Sequence, residues 1–235
     1  MLKYFWGFGL LLSVSNIIYF YKIMKQRKDA KLVKNEFYYF KGRNKTCASH
    51  TEVKPYNIIC TLPTCQFSYV LKIIGHLDSA VKSLDIILYL MTLESLAEAI
   101  IRAHKRGVKV RFIADEDMSK SSGSRVNMLK QEGVPVHSKL STFLMHHKFA
   151  IVDENLLITG SYNWTMQATN GNWDNLIITT HKRFVSQYRT EFNKLWNYLV
   201  NYTKENTKKK THETTTIDSS KTDNNRCGPV KQYDD

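Results

Sequence analysis

Apolar residues at Val70, Leu71, Ile73, Ile74, Leu77, Ala80 and Val81 recur at three- and four-residue spacing. That period marks one face of a helix over Phe67 to Ser83. The pattern then changes. Asp85 to Thr92, DIILYLMT, is a continuous apolar run, the signature of a strand buried on both faces. LESLAEAIIRAHKRG returns to helical spacing and stops at Gly107, a glycine placed to close the helix. VKVRFIAD alternates and ends on an acid, as a strand does. Ser124 to Glu132 reads as a short helix. Met145 to Thr165, MHHKFAIVDENLLITGSYNWT, reads as two strands joined by a turn, and Leu176 to Thr180 as one more strand. A last amphipathic helix runs from Phe184 to Tyr202 through Val185, Tyr188, Phe192, Leu195, Trp196 and Leu199. This order predicts an α/β fold: a mixed β-sheet flanked by helices on both faces.

The two ends of the chain follow other patterns. Tyr4 to Tyr21 is 18 residues without a charge, bracketed by Lys3 and Lys22. A helix of that length just spans a bilayer core of about 30 Å, and aromatic residues stand at both of its ends. A cleaved signal peptide is the rival reading. One lysine before the apolar part and no A-x-A-like site after it favour an uncleaved anchor over residues 1–21. Residues 22–45 are a basic connector with nine Lys and Arg against two Asp and Glu. Positive charge directly after an apolar span places the body of the protein in the cytosol. Residues 46–66 are irregular and hold three of the four cysteines. Residues 67–202 form the domain itself. From 203 to 235 the chain turns to Thr, Lys, Asn, Asp and Ser, with little to bury, and is expected to be disordered.

Charge refines this picture. Over residues 46–202 there are seventeen basic side chains against thirteen acidic ones, so the net charge of +13 is not a property of the domain. The concentration beside the apolar segment suits a membrane surface at least as well as nucleic acid.

The hairpin over Met145 to Thr165 carries polar residues that a core hairpin does not need. His146, Lys148 and Asp153 fit H-x-K-x4-D, and Ser161 and Asn163 follow in G-S-x-N. Residues two apart on a strand face the same side, so His146 and Lys148 point together, with Ser161 and Asn163 beside them. Imidazole, ammonium, hydroxyl and amide suit a phosphate: Lys supplies charge, Ser and Asn supply hydrogen bonds, and His attacks phosphorus or protonates a leaving oxygen. Alone, H-x-K is equally a solvated strand end, and Asp153 is equally a turn or ion-pair residue.

This stretch resembles the HKD motif of the phospholipase D superfamily, and Phe67 to Tyr202 follows the order of its small single-motif members. The whole chain is similar to the mitochondrial cardiolipin hydrolase and Zucchini endonuclease group, which pairs an N-terminal anchor, a small zinc finger and one motif. The resemblance implies that His146 is the nucleophile, forming a phosphohistidine, and that Lys148 and Asn163 bind phosphoryl oxygens with Ser161 assisting. Asp153 completes the catalytic motif. Asp174, in NWDN, stands where the family commonly has a glutamate that orients the histidine, one methylene shorter here. One motif supplies one histidine, while the chemistry needs a nucleophile and an acid on opposite sides of phosphorus, so a homodimer is implied. No catalytic metal is implied.

Cys47, His50, Cys60 and Cys65 give C-x2-H-x9-C-x4-C. Four such ligands complete a tetrahedral structural zinc site, though the spacing is not that of the commonest fingers. Buried free thiols and a surface His50 are the alternative. The resemblance implies the zinc.

The motif identifies phosphodiester hydrolysis without choosing the diester. The family group implies a single-strand-specific endoribonuclease acting in piRNA biogenesis at the outer mitochondrial membrane, facing the cytosol. Lys105, Arg106, Lys109, Arg111, Arg125 and Lys130 are candidates to line a groove for the RNA backbone, unless they sit on solvated helix faces. The second reading is hydrolysis of an anionic phospholipid, cardiolipin, to phosphatidic acid. A membrane-bound scaffold without catalysis is the third.

Overall fold

The computed structural model describes residues 15–22, 24, 33–42, 65–138 and 143–221, with side chains as far as 205 in the last stretch. Residues 15–22 are helical and exposed. The first fourteen residues of the expected anchor lie outside the described residues. Among the described residues no helix is long and apolar enough to cross a membrane.

The helix expected from Phe67 is α1 (Phe67–Asp78), with Phe67, Val70, Ile73 and Leu77 buried at helical spacing. It leads into β2 (Ser83–Leu88) and then α2 (Glu94–Lys105). Gly107, at φ +85°, closes α2 in the left-handed conformation that its sequence position predicts. β3 (Lys109–Ala114) follows, then the short helices α3 (Glu116–Lys120) and α4 (Val126–Gln131), and β4 (Val136–His137). The hairpin is β5 (Lys148–Val152) and β6 (Leu156–Gly160). After it come α5 (Met166–Gly171), β7 (Asp174–Thr179) and α6 (Lys182–Lys221).

Before all of these stands β1 (Asn35–Phe40). It lies inside the segment expected to be a basic connector and pairs antiparallel with β7, from Asn35↔Thr179 to Phe40↔Asp174. Its pattern explains the pairing: Tyr38 and Phe40 turn inward while Phe37 and Tyr39 stay exposed. At its other end the chain also departs from expectation. α6 continues past Tyr202 to Lys221. Residues 203–221 contain no Gly or Pro to stop it. Residues 222–235 lie outside the described residues.

The seven strands form one sheet in the order β1-β7-β6-β5-β2-β3-β4. β2, β3 and β4 run parallel, and the remaining pairs are antiparallel. Alternation along the strands divides the core. Leu84, Ile86, Leu88, Val110, Phe112 and Ala150 pack with α1 and α2. Ile87, Ile113, Phe149, Ile151 and Leu157 meet Val185, Phe192 and Leu199 of α6. Helices therefore cover both faces of a mixed sheet, as the sequence predicts. The α6 face also holds an ion pair, Arg111 with Asp85 at 2.7 Å. The Arg111 guanidinium lies 4.6 Å from the Phe192 ring centroid and hydrogen-bonds the Asn193 side chain.

Candidate active site

Strand register gathers the polar residues at one end of the sheet. Lys148 opens β5 opposite Leu88, the last residue of β2. Phe149 pairs with Thr159, so the G-S-x-N turn begins beside Lys148. Gly160 pairs with Leu176, which brings in Asp174 at the start of β7. The ladder extends one step beyond the strands, where the Tyr89 N–H donates to the His147 carbonyl at 3.0 Å. This edge holds the C-terminal ends of the parallel strands β2 and β3, the usual location of ligands in such sheets. Gly160 is required by proximity: a Cβ there would lie 2.1 Å from the Asn175 carbonyl oxygen.

Lys148 is buried, with 8% of its surface exposed. Its Nζ donates to the His146 carbonyl at 3.0 Å and lies 5.1 Å from the Tyr89 ring centroid. Burial pushes its ammonium pKa down, and Asp174 pulls it back up. Among the described residues no carboxylate forms an ion pair with it. The His146 ring stands edge-on to the same tyrosine, 4.5 Å between centroids. Its imidazole is held below the ordinary histidine value, first by lost hydration and then by the Lys148 charge, while Asp115 opposes and His147 adds to the fall. The neutral ring is therefore favoured at pH 7, with a lone pair free for attack. His147 is exposed and meets Phe149 edge-on.

Ser161 donates to Asp174 Oδ1 at 2.6 Å and accepts the Asn175 N–H at 3.0 Å. Asp174 was expected to orient His146. Instead its bonded oxygen belongs to Ser161, and among the described residues no hydrogen bond joins Asp174 to His146. Two buried oxygens, Asn163 Oδ1 and Asp174 Oδ2, lack any partner among the described residues. Each such atom costs about 1–3 kcal/mol until something donates to it.

Asp153 does not join this cluster. It follows the last residue of β5, about 17 Å along the strand from Lys148 by strand rise. With Glu154 it forms the hairpin turn, both at positive φ, 51° and 55°. Its carboxylate accepts the backbone N–H groups of Val81, Lys82 and Ser83 at 3.0, 2.6 and 2.9 Å. Burial pushes its pKa up, and the three N–H groups outweigh it and hold it low. Asp153 clamps the α1–β2 loop to the hairpin. Its place in the motif is that of a structural residue.

Of the zinc candidates, Cys47, His50 and Cys60 lie outside the described residues, and Cys65 is buried just before α1. Among the described residues no three His, Cys, Asp or Glu side chains are gathered as metal ligands. Most of the basic residues considered for a groove are engaged elsewhere. Lys105 pairs with Glu132 and Arg106 with Asp78, Arg111 is buried with Asp85, and Arg125 pairs with Glu94. The site includes residues that the sequence pattern concealed. Tyr89, inside a continuous apolar run, forms the floor shared by His146 and Lys148. Trp173, beside Asp174, is 79% exposed. It borders a shallow groove of about 380 Å³ with Tyr39, Lys41 and Asn175. On the other side, Phe143 and Leu144 are exposed and line an apolar hollow of about 220 Å³ with Leu195 and Tyr198.

Residues 73–196 match the family model described as cardiolipin synthase, PLD-like domain. A protein of Xenopus laevis named mitochondrial cardiolipin hydrolase is 35% identical over 188 residues, which cover 80% of this chain and 85% of the relative. The protein of the same name from Xenopus tropicalis is 40% identical over 137 residues, 58% of this chain and 65% of the relative. The chain spans 64–65% of the length of the relatives from Chlamydomonas reinhardtii, Xenopus tropicalis and Drosophila melanogaster. The solved structure of a phospholipase D family member, Nuc from Salmonella typhimurium, superposes with a TM-score of 0.55 at 22% identity. That match covers 70% of this chain and 95% of the other.

Proposed function

The chain belongs to the phospholipase D-like family, and we propose that it hydrolyses phosphodiesters through His146. One observation carries this reading. Lys148 is a buried cation with no carboxylate paired to it among the described residues, and it lies against the backbone of an exposed, neutral histidine. A buried charge left unpaired is costly, and a phosphate anion is the partner that this geometry accepts. The Asn163 amide NH2 adds a donor suited to a phosphoryl oxygen, whereas the Ser161 proton is already given to Asp174.

The neutral His146 ring attacks phosphorus, the N–P bond forms, and the bond to the leaving oxygen breaks. That oxygen departs with a proton from the protonated His146 of a second copy on the opposite side. Water then attacks the phosphohistidine, giving its proton to the second copy's His146, and the N–P bond breaks to release the phosphate ester and the free ring. The chain acts as a homodimer because one copy holds only one such histidine.

The substrate we favour is single-stranded RNA, cut to leave 5′ phosphates and 3′ hydroxyls, in piRNA biogenesis at the outer mitochondrial membrane. The family resemblance supports this, and so does the shallow groove beside exposed Trp173 and Tyr39, where unstacked bases find aromatic faces. The second reading is cardiolipin hydrolysis to phosphatidic acid. The relatives' name supports it, and Phe143 and Leu144 offer apolar contact. The hollow they line is smaller than the about 300–1,000 Å³ usual for ligand pockets, which favours RNA. In this reading the apolar segment over residues 4–21 anchors the chain in a single pass with the domain in the cytosol. Cys47, His50, Cys60 and Cys65 hold a structural zinc.

The test is cleavage of end-labelled single-stranded RNA and of cardiolipin vesicles, side by side, by the full chain and by His146→Ala. His146-dependent cuts leaving 5′ phosphates are expected. Phosphatidic acid without RNA cleavage selects the lipid reading, and no turnover of either substrate overturns the enzyme.

A further inference from the structure

His146 precedes β5, just beyond the rung that joins the Tyr89 N–H to the His147 carbonyl, and its other side needs a tie of its own. The residue before it supplies one. The Met145 N–H donates to Asp115 Oδ2 at 3.0 Å. Asp115 Oδ1 accepts the Met118 N–H at 3.1 Å and caps α3. Asp115 is buried, 6% exposed, at the C-terminal end of β3. Both carboxylate oxygens are thus held by backbone N–H groups, one on a sheet-anchored helix start and one on the segment carrying the histidine.

We propose that Asp115 is a positioning residue for His146: it ties the backbone immediately before the histidine to the end of β3 and sets a negative charge near the ring. This rests on the role given to His146 above. An N-cap alone needs one acceptor oxygen, and Ser or Thr serves as well as Asp. The second oxygen is what the tie adds. The charge has a function too. Lost hydration, Lys148 and His147 all disfavour the imidazolium, Asp115 favours it, and Tyr89 faces the ring from the end of β2. One copy of His146 acts as the neutral nucleophile and the other as the protonated acid, so a ring pushed only toward the neutral form would serve only one of them. Asp115 is the counterweight that keeps protonation within reach.

The substitutions that separate these roles are Asp115→Ser and Asp115→Asn in the full chain. Ser keeps the cap on α3 and is too short to reach Met145. Asn keeps the volume, removes the charge and leaves one acceptor oxygen, enough for Met118 or Met145 but not both. In Asp115→Ser the Met145 amide is expected to exchange hydrogen about tenfold faster while Met118 is unchanged, the loss of one hydrogen bond. The kcat falls about tenfold with KM nearly constant, because the nucleophile is misplaced. In Asp115→Asn the His146 ring, followed by NMR, titrates about half a pH unit lower. Unchanged Met145 exchange, or an unmoved titration with wild-type kcat, overturns the proposal and leaves Asp115 as a helix cap. Failure of both variants to fold also overturns it, in favour of a purely structural role. Exchange and titration need no turnover, so a wild-type chain that cleaves nothing would sink the enzymatic reading and still decide this one.

Discussion

Lys148 and Asp153, joined in sequence by one motif, stand at opposite ends of β5. One faces the candidate site. The other binds three backbone N–H groups of the α1–β2 loop. The motif therefore encodes two tasks, chemistry at one end of the strand and fixation at the other.

Asp153→Ala should consequently act on stability. Loss of the clamp is expected to cost about 2–3 kcal/mol at pH 7, with cleavage per folded molecule within about threefold of wild type. Because the folded carboxyl is held low, its contribution is present above the unfolded value near ~4 and is lost as pH falls through the folded value. The difference in denaturant midpoint between variant and wild type should shrink on acidification. Full stability with lost turnover would move Asp153 back into the site.

His146→Ala should show the converse. The ring is exposed, so melting should stay within about two degrees of wild type. Diester cleavage should fall by about 10³-fold or more, as it does when a nucleophile is removed. Retained cleavage would exclude the phosphohistidine route.

Lys148→Met keeps the bulk and removes the like charge beside His146. A like charge lowers a histidine pKa, so its removal raises it. NMR titration of His146 should move upward by about half a pH unit, with cleavage nearly abolished. A downward shift would contradict the geometry.

Gly160→Ala places a Cβ 2.1 Å from the Asn175 carbonyl oxygen and 3.0 Å from its side chain. β6 and β7 must separate to admit it. A loss of about 1–3 kcal/mol is expected from overpacking, with cleavage falling further than stability alone requires because Ser161 and Asp174 shift apart. Wild-type melting and rate would show that the strands give way freely.

Trp173→Ala distinguishes the substrates. Stacking contributes about 1–3 kcal/mol per base, so affinity for single-stranded RNA should drop about tenfold or more by filter binding. Cleavage of a small chromogenic diester should be unchanged. Equal losses on both would deny the groove a role in holding bases.

Much of this molecule was legible in its sequence. Periodicity located α1, α2, β2 and β3 because their apolar positions answer to the local helix or strand period. The pairing of His146 with Lys148 follows from two-residue alternation. β1 escaped because its partner, β7, is about 140 residues away, and its aromatic alternation lies in a basic stretch. Asp153 escaped because a motif spacing does not say which end of a strand faces a ligand. Arg111 had the look of a groove cation until Asp85, 26 residues earlier, claimed it across two parallel strands. The Ser161–Asp174 bond likewise exists only through the β6–β7 register.

The direction of β1 has a consequence for reach. The strand begins at Asn35, opposite Thr179, and runs toward Phe40, opposite Asp174. It thus starts at the end of the sheet remote from His146, about 20 Å away by strand rise. A chain that enters its sheet at that end leaves the edge carrying His146 and Lys148 clear of the point of entry, open to whatever arrives from the opposite side.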